Sequence, residues 1–142
     1  MTYNQVVKYI QDALESHPMI SQVKYVTPVE WMNREEVAKY PFACYNIATG
    51  NFNLGNELIY TCQLWFLDKS GQEAEFETDV ISDQHSIAND IVSKLRKDNT
   101  IVIDDSITWN AISEKFEDYI SGVELTINIS SVSKFDYCDF PS

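Results

Sequence analysis

Apolar positions recur along this chain with two different periods, and the places where the period changes divide it into elements. Residues 3–16 read as an amphipathic helix, because Val6, Val7, Ile10, Ala13 and Leu14 make one apolar stripe at helical spacing. Thr2 is placed to cap its start, and His17-Pro18 ends it, since the residue before proline avoids the helical region. Residues 22–27, Gln-Val-Lys-Tyr-Val-Thr, alternate as a short strand that Pro28 stops. Residues 29–40 fit either a short helix or an irregular excursion.

Two further strands lie over 42–49 and 57–68, with Gly50-Asn51 and Gly55-Asn56 as turn signals between them. Together they predict a long β-hairpin. The second strand carries Tyr60, Cys62, Leu64 and Phe66 on one face and Ile59, Thr61, Gln63, Trp65 and Leu67 on the other. Large apolar groups on both faces mean that it is central in a sheet, or that one face meets a partner. After a polar, acidic stretch over 69–77, a second helix is predicted at about 78–97, with Ile81, Ile87, Ala88, Ile91, Val92 and Leu95 as its stripe. Thr78 or Ser82 would cap it. Residues 100–110 read as a strand and a turn around Asp104-Asp105, and 112–119 are mixed in pattern. Residues 122–133 alternate cleanly, with Val123, Leu125, Ile127 and Ile129 inward and Glu124, Thr126, Asn128 and Ser130 on a wet face. The order helix, strand, hairpin, helix, strands predicts one α+β domain over 1–142: a mainly antiparallel sheet with a long hairpin, packed against two helices that cover one face.

Composition narrows the function. At 142 residues and 44% hydrophobic, the chain can bury a substantial core without disulfides or metals. Its formal charge of −12 repels phosphate, and specific nucleic-acid or anionic-membrane binding is not expected. The one dense basic run, Lys94-Leu95-Arg96-Lys97, falls at a helix end where cations favour the negative pole of the macrodipole. Cys44 and Cys62 sit within apolar strands, and Cys138 lies between Asp136 and Asp139, which disfavour its thiolate. Neither a disulfide framework nor a zinc site is expected from this pattern. No signal peptide or membrane span is expected either, which places the chain in a reducing cytoplasm.

Motifs that carry chemistry are few. The four glycines fit no phosphate loop, no serine sits in a Gly-x-Ser-x-Gly elbow, and His17 and His85 read as a helix-end residue and a solvated helix residue. The carboxylates at Glu73, Glu75, Glu77, Asp79, Asp104, Asp105, Glu114, Glu117 and Asp118 read as solvated faces. No cofactor, no metal and no catalytic residue is expected. What remains is a wealth of aromatic residues, three Trp, eight Tyr and seven Phe, which anchor protein interfaces when exposed. Trp31 and Trp109 stand in segments of mixed polarity, where a surface position and a core position fit equally.

The approach Lys39-Tyr40-Pro41-Phe42, the strand from Leu58 to Lys69, the helix from Ser82-Asp83 to Ile91-Val92-Ser93-Lys94-Leu95, the segment from Phe116 to Val123 and the terminal Tyr137-Cys138-Asp139-Phe140-Pro141 occur in an order that resembles the small tail-completion, tail-terminator and neck proteins of tailed bacteriophages. The resemblance covers most of the chain. It implies a non-enzymatic virion protein, made in the host cytoplasm. Such a protein would form a homo-oligomeric ring of six or twelve subunits around the DNA channel, joined to neighbouring neck, portal or tail proteins. An acidic lumen would let DNA pass without gripping it. The hairpin over 42–68 is then a natural arm for a neighbour's sheet edge. The candidate contact residues are Phe52, Leu54, Leu58, Tyr60, Trp65, Trp109 and Phe140. The rival expectation is a small acidic adaptor that binds one host protein.

Overall fold

The first helix, α1 (Tyr3–Glu15), begins at Thr2 through a reciprocal capping pair. The Thr2 hydroxyl accepts the Gln5 N–H at 3.3 Å, and the Gln5 side-chain oxygen accepts the Thr2 N–H at 2.8 Å. Two of the orphan donors at the helix start are thereby satisfied, and such a cap contributes about 1 kcal/mol. The buried stripe is Val6, Ile10, Ala13 and Leu14, as the periodicity predicts. The computed structural model describes residues 2–32, 39–70, 74–99, 101–113 and 120–132.

After α1 come β1 (Gln22–Tyr25), the short α2 (Pro28–Met32), β2 (Phe42–Phe52), β3 (Glu57–Lys69), α3 (Ala74–Lys97), β4 (Val102–Ile103), β5 (Thr108–Ile112) and β6 (Ile120–Val132). The sheet runs β1-β2-β3-β6, with β4 and β5 both on the far side of β6. Only β1 against β2 is parallel among the described pairings. The fold is α+β, with a mainly antiparallel sheet and the expected hairpin at its centre.

Helices α1 and α3 cover one face, here the front. Tyr45, Leu64, Phe66, Leu125 and Ile127 meet Ile10, Leu14, Ile91 and Leu95 there. A second core lies on the back, where α2 brings Trp31 over Phe42, with Cys44, Trp65, Leu67, Ile112 and Ile120 around them. The rings of Trp31 and Phe42 stack at 4.9 Å and 27°. This explains the doubly apolar β3: near its C-terminal end both faces are buried inside the chain itself.

Several boundaries differ from the expectation. β1 stops at Tyr25, because Val26 turns into the back core and Thr27 caps α2, accepting the Glu30 N–H at 3.3 Å. Pro28 opens this helix, where its missing N–H costs nothing. The segment after β1 is thus helical at 28–32, and residues 33–38 lie outside the described ones. α3 begins at Ala74, not near 78, so Thr78 and Ser82 are inside the helix and cap nothing. Its first turns lack an apolar stripe because they run past the core, and Phe76 is exposed there. Glu77, in its first turn, suits the positive end of the macrodipole. The outward residues of β6, Glu124, Thr126, Asn128 and Ser130, are half-buried and not fully wet.

The strand and the turn around Asp104-Asp105 expected over 100–110 are both present, and a second strand, β5, follows the turn. Between β4 and β5, the Asp104 carboxylate accepts both the Asn128 backbone N–H (3.2 Å) and its side-chain amide (2.9 Å). Asn128 in turn accepts from the Thr61 hydroxyl at 2.7 Å. A side chain therefore takes the place of the ladder at the turn, so the buried donor stays paired. Arg96 donates to the Asp105 carbonyl at 2.9 Å, which gives one member of the basic run a turn-holding task beyond its place at the helix end.

Candidate protein-binding surface

β1 covers β2 only from Phe42 to Tyr45, and the remainder of β2 is an overhang. Its root is closed by two tyrosines. The Tyr3 hydroxyl donates to the Ile47 carbonyl at 2.8 Å and bonds the Tyr25 hydroxyl, which accepts the Ile47 N–H at 3.3 Å. The pKa of the Tyr3 hydroxyl is pushed up to about 12, first by its bond to Tyr25 and then by burial, so it remains a donor at neutral pH. Tyr25 also meets Tyr45 edge-on at 5.1 Å. The register then shifts: Ile47 faces Cys62, but Thr49 faces Thr61, leaving Ala48 as a bulge. A bulge strengthens local twist and re-aims the residues beyond it. Past it, Phe52 joins Leu58 and Tyr60 on the front face.

Gly50 lets the overhang press against β3, since a Cβ there would lie 2.1 Å from the Ile59 carbonyl oxygen. The tip is a single 3-10 turn, Leu54–Asn56, in which Gly55 takes φ of 79°. The Asn53 N–H bonds the Glu57 carbonyl at 2.9 Å to close it. At this end Phe52 is 94% exposed and Leu54 99% exposed. Leu58 and Tyr60 are half-buried and, with Tyr3, Ile47 and Gly50, line an open groove of about 320 Å³. From Tyr40 to Leu67 the chain carries one charged residue, Glu57, against 23% charged overall. Charge depletion around exposed aromatic and aliphatic groups is the compositional mark of an interface core.

The expected contact residues separate into groups. Phe52, Leu54, Leu58 and Tyr60 come together on the arm. Trp109 is half exposed at the opposite edge of the sheet, where His85 packs edge-on against it at 4.8 Å and 75°. Trp65, expected among the contact residues, is instead buried in the back core beneath α2. Trp31, for which a surface position was open, is buried there too. Phe140 lies outside the described residues. Tyr3 and Tyr25, which build the root of the arm, were not singled out in the sequence, because their partner is a backbone carbonyl more than 20 residues away.

The remaining candidates for chemistry have structural partners. His17 Nδ1 accepts the Met19 N–H at 3.1 Å, so Nε2 carries the proton and meets Asp90 of α3 at 2.9 Å, clipping the end of α1 to α3. Cys44 and Cys62 are fully buried. Burial pushes the Cys62 thiol pKa up to about 12 and the Cys44 thiol up as well, which leaves almost no thiolate to react. Iodoacetamide at neutral pH should therefore leave both unmodified in the folded protein and label both in urea. Peptide mass spectrometry reads this, and native labelling of either would refute the packing described. Cys138 lies outside the described residues. Among the described residues, no three His, Cys, Asp or Glu side chains gather to hold a metal, and no helix is long and apolar enough to cross a membrane. No protein-family model matches the chain, and no curated protein matches it.

Proposed function

We propose that this chain is a non-enzymatic structural protein that binds copies of itself and neighbouring proteins, as a ring at the neck or tail of a phage virion. The observation that carries this reading is the arm, with Phe52 and Leu54 almost fully exposed at the end of a nearly uncharged stretch of a chain whose net charge is −12. A solitary monomer gains nothing from holding two large apolar groups in water. An interface would bury them. The strong net negative charge fits a channel wall past which DNA slides, since the phosphate backbone is repelled. The same charge favours the second reading, an acidic adaptor for a basic host protein.

Light scattering over a wide concentration series, with negative-stain images of the same samples, separates the two. A hexamer or dodecamer with a central hole is the expected result. A protein that stays at its monomer mass of 16.3 kDa at every concentration overturns the ring and leaves the adaptor.

A further inference from the structure

We infer that the junction between copies is a head-to-tail strand pairing, in which the β2 overhang of one copy adds to the β5 edge of the next. The inference rests on the self-association proposed above and names the surfaces that make it.

Among the described residues, two open strand edges stand on opposite sides of the sheet. On one side, Thr49-Gly50-Asn51-Phe52 pairs with β3 inward and has no described strand outward, because β1 ends at Tyr25 and the Ile47 backbone is taken up by the two tyrosines. On the other side, Thr108-Trp109-Asn110-Ala111-Ile112 pairs with β6 and has no described strand beyond it. The runs are of similar length, four residues beyond the bulge and five in β5. Neither holds a charge or a proline. Soluble proteins usually guard edge strands with lysine, inward charges or proline, because an open ladder recruits another strand. Both edges lack these guards.

The electrostatics restrict where a second copy can sit. Two chains of charge −12 repel wherever their carboxylates face each other, so they can meet closely only through surface without them. The arm is such a surface, and so is the run Ser106 to Ser113 that contains β5. Because the two edges lie on opposite sides of one sheet, joining them uses different surfaces on the two partners. That is a heterologous contact, the kind that closes into rings by rotation. The anchors agree in direction. Phe52 pairs with Leu58 on the front face, and Trp109 pairs with Leu125 on the same face. A sheet continued from one copy to the next therefore brings Phe52 and Trp109 to one side of the junction, where the aromatic pair would be buried.

Two variants test this. Thr49→Glu with Phe52→Glu blocks the overhang, and Trp109→Glu with Ala111→Glu blocks the β5 edge. All four side chains are exposed, so both variants should keep the wild-type circular dichroism and melting profile. Each variant alone should remain at 16.3 kDa under conditions where the wild type assembles. An equimolar mixture should form a dimer of twice that mass and nothing larger, because one intact overhang still meets one intact edge. If either variant alone assembles as the wild type does, the junction is elsewhere and the ring reading survives without it. If the mixture stays monomeric up to about 1 mM, the head-to-tail pairing is wrong. A wild type that is itself monomeric at that concentration removes the ring reading and this junction together, and leaves the edges to a different protein.

Discussion

Trp65→Ala should lower the free energy of unfolding by about 3–5 kcal/mol, the range for removing a large aromatic side chain from a core. Trp65 is 8% exposed and packs in the back core with Trp31, Phe42, Cys44, Leu67, Ile112 and Ile120. Alanine would leave a cavity between α2 and the sheet, and the stacked Trp31–Phe42 pair cannot close it without leaving its own contacts. Urea unfolding followed by far-ultraviolet circular dichroism measures the loss. The control is the arm: Phe52→Ala and Leu54→Ala should each stay within about 0.5 kcal/mol of the wild type, because exposed side chains away from special features contribute little to folding. A Trp65→Ala variant as stable as those two would mean that the back core is not formed as described, and would return Trp65 to the set of candidate contact residues.

Gly122→Ala should cost about 3 kcal/mol or more, although it adds a single methyl group. Gly122 sits in β6 with β3 on one side, where it faces Leu67, and β5 on the other, where it faces Ile112. A Cβ at this position would lie 1.8 Å from the Phe66 carbonyl oxygen and 2.9 Å from its carbon. Both are backbone atoms of the central strand, so no side-chain rotation relieves the contact. β6 would have to move away from β3 through a region where Ile120, Ser121 and Val123 are fully buried. Close approach of a second backbone is one of the reasons a strand keeps glycine. The melting temperature should fall by roughly 10 °C. A variant melting within a degree or two of the wild type would show that the strands are not so closely apposed.

Much of the fold is legible residue by residue. The stripe of α1, the Thr2 cap and the inward set Val123, Leu125, Ile127 and Ile129 all follow from periodicity, because each is a local pattern read out against a single buried face. The central place of β3 follows from its two apolar faces. The start of α3 does not, because its first turns project past the core and carry no stripe. The turn between β4 and β5 is marked in the sequence by Asp104-Asp105, but what holds it to β6 is hidden. It is stabilised by Asp104 reaching Asn128, a contact across 24 residues that no short window contains.

The candidate surface divides along the same line. That the hairpin is long, apolar and marked by glycine turns is written in the sequence, and so is the acidic charge that keeps phosphate away. Alternation along a strand tells which residues share a face, but not which faces find cover. Trp65 and Phe52 are both aromatic residues on the same hairpin. Only the tertiary structure decides that α2 folds over the first and that β1, α1 and the two tyrosines stop short of the second. Burial is a property of what packs against a residue from elsewhere in the chain, so the sequence by itself determined the elements and their apolar faces, and three-dimensional packing decided which of those faces became core and which was left exposed.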